Sequence, residues 1–397
     1  MKTGIKVILI FFILILLIIG TVMFCFSYGK FTKEKQAEKE AKAAYYKELA
    51  DRETEWVLSL QLNNGALLLY QPEKDEGYVN PYFACETMLG VISDKDPEHV
   101  EAAGRYLHWH TNALLNENGI ISDYELTDKG LISKDESDSF DSYAAGYLLL
   151  LAEYIDSGGD LDAIGDWKEA VKVLWVRFED VTKNDVTYVN DNCKIAYLMD
   201  NSEVWTAFER FGNVIADRKD FKDDEELCEL AENYLYNAGK IRDSIENKYW
   251  MEEQEVYTIA LLKDGELYGE PDPEVFYPDA IAQIYPAIMG VRKVEDREMN
   301  LYQKICDAHD WEHGNIEGAS FNWTVMAYAA LVHYDESRMD TYLDTYESIV
   351  KESRKYPFHT SNAGWIIRVC NKKADMIMAE ENTGFTNYIK WLIGEDK

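Results

Sequence analysis

Two kinds of predicted helix alternate along most of this chain. One kind is amphipathic with a charged face, and the other is shorter, more apolar and rich in small residues. Apolar residues recur with a helical period, whereas strand-like alternation is rare. The amphipathic segments are 44–61, 97–116, 160–179, 223–249, 294–307 and 336–353, and the apolar segments are 81–92, 139–155, 202–216, 279–290, 320–333 and 361–370. This alternation predicts an all-α fold of six helical hairpins with the apolar helices inside.

The connections between these helices are unequal in length. An apolar helix leads to the next amphipathic helix by a short link, as at 93–98 and 157–160. The return links are long and aromatic-rich, at 62–80, 117–138, 180–201 and 250–278. Long loops in compact domains are usually functional, and helix N-termini favour carboxylates and anions. We therefore predict a cleft on the long-loop face, where the apolar helices begin.

The N-terminal region predicts a membrane anchor. Residues 5–27 carry no charge after Lys6 and are long enough to cross a bilayer. They lack the short apolar core and cleavage site of a removable signal peptide, so we predict an uncleaved signal anchor behind a tail at 1–4. A charged helical stalk at 28–43 then precedes a single domain at 44–397. Lysines flank the span on both sides and do not decide its orientation; a large acidic, aromatic-rich domain is most simply placed outside.

Charge and composition restrict the partners. The formal net charge is -33, which would repel nucleic acid and disfavours a strongly anionic polymer. Neutral or cationic partners fit better, and 27 Tyr and 10 Trp provide stacking surface as well as core. The chain has no P-loop, GxGxxG or GxSxG string, and we predict no cofactor. Six scattered cysteines without a CxxC pair predict no disulfide framework.

Carboxylates gather at the starts of two apolar helices. In the acidic stretch 136–154, Asp138 and Asp141 are three residues apart, which predicts neighbours on one helix face. Asp200 and Glu203 open the next apolar helix. We predict these four as the catalytic carboxylates. The alternative is capping: Asp138 as the cap of its helix, and Asp200 with Glu203 in the spacing of a capping box.

Further polar and aromatic residues stand at equivalent helix starts or in the long loops. Trp323, His359 and Trp365 have packing as their alternative, but their recurrence at equivalent places favours a binding cleft. Asp279 has a helix-start role as its alternative, and Asp123 with Tyr124 is also a weaker acid/base candidate. The predicted binding residues are Asn80, Tyr82, Asp123, Tyr124, Asn201, Trp205, Tyr277, Asp279, Trp323, His359 and Trp365.

Two histidine strings resemble metal motifs without their context. His309 to His313 match H-x-x-E-H, but Gly314 and Asn315 follow at once and indicate a helix end where zinc peptidases need a stable helix. His108 and His110 are two apart and do not share a helix face. We predict no metal site.

The helix pattern resembles the (α/α)6 toroid of the six-hairpin glycosidase superfamily over about residues 44–393. Within it, Asp141-Ser142-Tyr143-Ala144 is similar to the signature of glycoside hydrolase family eight, with the first aspartate displaced by one residue. That family also has a catalytic glutamate opening its first inner helix, where this chain has Asn80 to Ala84 and then Glu86 a turn later.

The resemblance implies a glycoside hydrolase, commonly inverting, acting on a polysaccharide or oligosaccharide. Together with the predicted anchor, it leads us to expect a membrane-anchored extracellular enzyme. Two alternatives stay open. One is a polysaccharide lyase on a similar toroid, which needs a Tyr or His base and a group that neutralises a uronate. The other is a non-catalytic glycan-binding or assembly protein.

Overall fold

The computed structural model describes residues 2–72, 77–134, 137–316, 322–380 and 384–393. Glu136, in the acidic stretch, and positions 320 and 321 of a predicted helix therefore lie outside the described residues. The chain divides into two compact units, one formed by Ala50–Val369 and the other by Met1–Leu49 with Cys370–Lys397. Two helices run through the unit boundaries: α1 (Lys2–Leu58) and α12 (Thr360–Ala379).

The larger unit contains the predicted alternation of inner and outer helices. The inner helices are buried on most sides, and α4, for example, buries residues around its whole circumference. The inner series is α2 (Pro81–Val91), α4 (Phe140–Asp156), α6 (Leu198–Asp217), α8 (Tyr285–Ile288), α10 (Val325–Val332) and the start of α12. The outer series is α3 (Pro97–Asn116), α5 (Trp167–Val181), α7 (Glu225–Ser244), α9 (Asp296–Ala308) and α11 (Glu336–Glu352), with residues 50–58 of α1.

The inner helices form a closed ring. Helix α4 packs between α2 and α6, and α8 packs between α6 and α10. The Tyr328 ring on α10 lies 5.5 Å from the Trp365 ring on α12. The ring closes where α12 meets α2: a Cβ atom on Gly90 would lie 2.2 Å from the carbonyl oxygen of Gly364, so two glycines permit this approach. A closed ring of inner helices inside an outer series is the (α/α)6 arrangement that the sequence predicts.

Several helix boundaries differ from the sequence prediction for local reasons. The predicted helix at 279–290 is broken into a π-helical turn, Phe276–Ala280, and the short α8, because Pro278 and Pro286 donate no backbone hydrogen bond. Helix α5 begins at Trp167 because Gly165, at φ 84° and ψ -139°, ends a separate turn at Leu161–Ile164. Helix α12 continues past 370 to Ala379, and the sequence did not predict α13 (Phe385–Leu392).

Short antiparallel strands organise the long loops. In a three-stranded sheet, β1 (Gly77–Val79) pairs with β2 (Tyr124–Thr127), which pairs with β3 (Gly130–Ser133), and Val79 lies opposite Tyr124. Strand β1 leads directly into α2, as β6 (Ala196–Tyr197) leads into α6, so the sheets fix where inner helices begin. The remaining strands are β4 (Thr182–Lys183), β5 (Val186–Thr187), β7 (Trp250–Met251), β8 (Val256–Tyr257) and β9 (Ala260–Leu261), paired β4–β5, β6–β9 and β7–β8.

Helix α1 is one continuous helix of 57 residues. From Ile5 it is long and apolar enough to cross a membrane, by length and composition, and its apolar window is fully exposed. The predicted stalk at 28–43 continues the same helix.

Candidate active site

The start of α4 differs from its predicted geometry. Ser139 occupies the N-cap position with extended backbone (φ -144°, ψ 118°), and the helix begins at Phe140. Asp138 therefore precedes the helix, where it is exposed, while Asp141 lies in the first turn with 0% exposure. The expectation that both share one helix face is wrong, and so is the alternative that Asp138 occupies the cap position.

One serine hydroxyl lies between two carboxyl groups from different inner helices. The Oγ atom of Ser139 is 2.6 Å from Oδ1 of Asp141 and 3.0 Å from Oδ2 of Asp200. A hydroxyl has one hydrogen to donate. If both short contacts are hydrogen bonds, one of the two carboxyl groups must itself carry a proton and donate it to the serine oxygen. The geometry therefore describes a carboxyl pair that holds one proton through a hydroxyl.

The surroundings favour Asp200 over Asp141 as the protonated partner. Burial first, and then the charge of Asp141, hold the pKa of Asp200 well above its usual range. Burial also raises the pKa of Asp141, but donors oppose this effect: the Ser139 hydroxyl, the Thr187 hydroxyl at 2.8 Å and the N–H of Ser142 at 3.0 Å. Hydrogen bonds to a carboxylate favour its charged form. Asp200 is half-buried, so part of the residue remains open to solvent.

Helix α6 begins earlier than predicted, which removes the capping-box alternative. Its N-cap is Tyr197, so Asp200 lies in the first turn and Glu203 in the second. Instead of a backbone N–H, Glu203 Oε1 accepts a hydrogen bond from the Tyr82 hydroxyl on α2, at 2.8 Å. Burial, followed by the charges of Asp200 and Glu86, raises the pKa of Glu203 well above its usual range.

Glu86 is a further carboxylate at the site that was not among the predicted site residues. Its carboxyl group accepts hydrogen bonds from the Ser361 hydroxyl at 2.6 Å and from Nε1 of Trp365 at 3.2 Å, both on α12. Burial raises the pKa of Glu86 to about 7. The signal in the sequence was a lone acidic residue in the otherwise apolar run of α2, but only the ring of inner helices brings it close to Glu203.

A polar group at the start of α2 joins two long loops to helix α4. Asn80 caps α2 by accepting the N–H of Phe83, and its side-chain N–H donates to the Tyr143 hydroxyl at 2.7 Å and to Asp123 at 3.3 Å. The Tyr143 hydroxyl lies 3.2 Å from the other oxygen of Asp123. The Tyr143 ring also stacks on that of Tyr82, at 5.7 Å, so this group continues directly to Glu203.

Two aromatic rings stack near the aspartates. The Tyr277 and Trp323 rings lie 5.1 Å apart at 30°, and 56% of Tyr277 is exposed. Neighbouring protein atoms, followed by the charges of Asp200 and Asp138, raise the pKa of the Tyr277 phenol, which indicates that it lies beside those two carboxyl groups. The exposed Tyr277 ring, supported by the half-buried Trp323 ring, is suited to stack on a sugar.

Other predicted binding residues are engaged in supporting the loops. The Tyr124 hydroxyl donates to Glu117 at 2.8 Å, and Asp279 accepts the N–H of Asp272 at 2.8 Å. Asn201 has 0% exposure and bonds the backbone N–H and C=O of Thr187, each at 2.9 Å.

Three predicted aromatic residues lie further from solvent or on another face. His359 is buried against the Phe83 ring at 4.5 Å, and burial lowers the pKa of this imidazole to about 4. Trp365 is buried and donates to Glu86. Trp205 is half-buried two residues after Glu203, and positions two apart on a helix do not face the same way.

The histidine string at 309–313 does not lie on one helix. His309 follows the end of α9, and a separate 3-10 turn covers Trp311–His313. Asp310, Glu312 and His313 bring possible ligand atoms within 4.8 Å of one another, but His313 is already paired with Asp310 at an exposed position.

Comparison with known proteins identifies the fold. The sequence matches no protein-family model and no curated protein. The structure is similar to a metal-independent α-mannosidase of Streptococcus pneumoniae in complex with α-1,6-mannobiose, with a TM-score of 0.63 and 11% identity over 86% of this chain and 96% of that chain. It is also similar to a glycosidase variant in complex with glucose, with a TM-score of 0.56 and 11% identity over 85% of this chain and 98% of that chain. A novel α-amylase from Clostridium perfringens gives a TM-score of 0.50 and 11% identity over 80% and 95% of the two chains. The protein has the six-hairpin glycosidase fold, as the sequence pattern suggested.

Proposed function

We propose that this protein is a membrane-anchored glycoside hydrolase whose active site lies where α4 and α6 begin. One observation carries the proposal: the Ser139 hydroxyl links Asp141 to Asp200, a half-buried residue whose pKa is raised by burial and by the charge of Asp141, so that Asp200 is suited to hold a proton. Glycoside hydrolysis requires one carboxylic acid that is protonated at the working pH and a second carboxylate that is ionised. The fold is consistent with this chemistry, since the similar solved structures are glycosidases.

In the proposed reaction Asp200 is the general acid. Its carboxyl proton passes to the glycosidic oxygen as the bond from that oxygen to the anomeric carbon breaks. Water attacks the anomeric carbon, and Asp138, the exposed carboxylate ahead of α4, accepts the proton of that water. This inverting scheme requires about 6.5–9.5 Å between the two carboxyl groups. Asp141 does not contact the sugar; it positions Ser139 and keeps Asp200 protonated.

Glu203 and the aromatic pair would bind the sugar. The Glu203–Tyr82 hydrogen bond presents polar groups beside Asp200 on the same helix, where sugar hydroxyls need donors and acceptors. Tyr277 and Trp323 supply a stacking surface. In the site, carboxyl groups outnumber basic side chains, which favours a neutral or cationic glycan over a uronate polymer.

The cellular arrangement follows from the N-terminal helix. We propose that residues 5–27 anchor the protein in the membrane and that the domain acts outside the cytoplasm. Its substrate would then be a polysaccharide or oligosaccharide at or beyond the cell surface.

The decisive experiment is hydrolysis of a broad glycan panel by the full chain, followed by variants. Asp200→Asn should abolish the release of reducing ends and leave folding intact. Asp217→Asn is the matched control, because Asp217 is exposed at the other end of the same helix. Full activity of Asp200→Asn on a glycan that the wild type cleaves would refute the assignment. An unsaturated product would establish the lyase alternative, and binding without cleavage across the panel would establish the glycan-binding alternative.

A further inference from the structure

The C-terminal helix α13 packs on α1 at the end of the apolar segment. The Tyr388 ring lies 5.4 Å from Phe24, 5.2 Å from Tyr28 and 5.6 Å from Phe31. The Tyr388 hydroxyl forms a short hydrogen bond with Ser27. The chain thus returns, at its last helix, to the point where its first helix leaves the predicted span.

Trp391 extends this contact away from the span. Its ring lies 5.6 Å from Phe31, its Nε1 donates to Glu34 at 2.9 Å, and Lys30 Nζ lies 5.9 Å from its centre. One face of α13 is therefore aromatic and occupied by α1. Tyr and Trp are the residues enriched at membrane–water interfaces, where their rings are sheltered and their polar ends are wet.

A second face of α13 is apolar and exposed. Ile389 is 37% exposed, Leu392 is 56% exposed and Ile393 is 59% exposed. Residues three and four apart share one side of a helix, so these three form a single patch. The exposed apolar surface of α1 ends nearby, at Phe24 and Phe26.

The depth of α13 can be placed from α1. Tyr388 contacts Phe24, three residues before the end of the predicted span at residue 27, and Phe31, four residues past it, while Trp391 contacts Phe31 and Glu34. At 1.5 Å per residue these contacts extend from about 5 Å inside the predicted span to about 10 Å beyond it. The headgroup region adds about 5–7 Å on each side of the hydrocarbon core. Helix α13 therefore lies at the level of the headgroups if residues 5–27 span the bilayer.

We infer that α13 is an interfacial membrane helix, with Ile389, Leu392 and Ile393 inserted at the boundary between headgroups and acyl chains. The lipid bilayer is the occupant of this patch because Tyr388, on the same helix, packs against α1 where the apolar span ends, at the depth where such helices bind. The inference rests on the proposed membrane anchoring and goes beyond it: the protein would contact lipid at both ends of its sequence. The second contact would limit rotation of α1 in the membrane.

The test uses the full chain in liposomes with an environment-sensitive fluorophore on a single accessible cysteine. Leu392→Cys places the label in the patch. Lys390→Cys is the matched control, because residues two apart on a helix face different directions. Both variants are made after serine replaces the cysteines that are not buried, namely Cys25, Cys193, Cys228 and Cys306. Phospholipids brominated at shallow acyl positions quench only labels that touch the acyl chains.

We expect the label at 392 to be quenched at least about twofold more than the label at 390, with bluer emission, as for an apolar face buried at the interface. Equal quenching at the two positions, or none at either in protein that floats with the liposomes, would overturn the interfacial helix and leave the anchor standing. Protein that fails to float with the liposomes would overturn the anchoring on which the inference rests. A loss of hydrolysis would bear on the catalytic proposal alone.

Discussion

Replacing Ser139 by alanine tests the shared proton directly. The substitution removes the only atom that contacts both Asp141 and Asp200 at hydrogen-bond distance among the described residues. Thr187 and the N–H of Ser142 remain as donors to Asp141, so that carboxylate stays partly satisfied. A hydrogen bond to a charged group contributes about 1.5–3 kcal/mol. We expect the free energy of unfolding to fall by about that amount.

The catalytic consequence follows from the same contact. Without the hydroxyl, Asp200 loses its link to Asp141 and is no longer held in one orientation. If the lost energy is felt in the transition state, kcat falls about ten- to hundredfold, since about 1.4 kcal/mol corresponds to a factor of ten. Substrate binding is less affected, because Ser139 does not face the sugar in the proposed scheme.

The assay is steady-state hydrolysis together with urea denaturation. Ser139→Thr keeps a hydroxyl and should recover most of the activity. Ser142→Ala is the matched control, because Asp141 uses only the backbone N–H of that residue. The reasoning is refuted if Ser139→Ala is less stable but keeps the kcat of the wild type, since the hydroxyl would then be only a packing element.

Three further predictions follow from buried carboxyl groups. The folded pKa of Asp200 lies above its unfolded value, so its contribution to stability is complete below the unfolded pKa and is lost as pH rises through the folded pKa. Asp200→Asn should therefore be more stable than the wild type at neutral pH, as measured by urea denaturation. Equal stability of the two proteins would argue against a protonated Asp200. Glu86 has a pKa of about 7, so a pH titration of tryptophan fluorescence should show a transition there, lost in Glu86→Gln, because Trp365 donates to that carboxyl group. Arg354 donates two hydrogen bonds, of 2.6 and 2.8 Å, to the carboxyl group of the fully buried Glu53. Arg354→Met should lower the free energy of unfolding by about 3–5 kcal/mol, because it leaves a buried charge without its partner, and adding Glu53→Gln should recover much of that loss. Additive losses in the double variant would contradict this.

Features that depend only on residues close together in the sequence were predictable from the sequence. The alternation of apolar and amphipathic segments predicted inner and outer helices, because a helix buried on all sides is apolar all round and a helix buried on one side has apolar residues on that side only. Asn80 before Pro81 marks a helix start by local chemistry alone, since the amide accepts a backbone N–H and proline needs none. The apolar run at 5–27 is likewise recognised as a candidate membrane span from its length and composition alone.

The predicted helix boundaries were wrong where prolines or N-cap residues set the observed ones. Pro286 interrupts the segment predicted as one helix at 279–290, and Pro278 lies in the π-helical turn at its start. Ser139 takes the cap position that the sequence alternative gave to Asp138, and Tyr197 moves the start of α6 so that Asp200 and Glu203 cannot form a capping box.

Only the tertiary structure could decide which carboxyl groups interact and which one carries a proton. Ser139 and Asp200 are 61 residues apart in sequence, and Glu86 and Ser361 are 275 apart. A pKa depends on burial and on charges a few ångströms away, and neither is a property of local sequence. The sequence by itself determined most of the helices, their order and the acidic helix starts. The packing of α4 on α6 brings Asp141 and Asp200 together, and the close approach of α2 and α12 at Gly90 and Gly364 brings Glu86 to Ser361. Tertiary contacts thus turn separate carboxylates into a candidate acid and base.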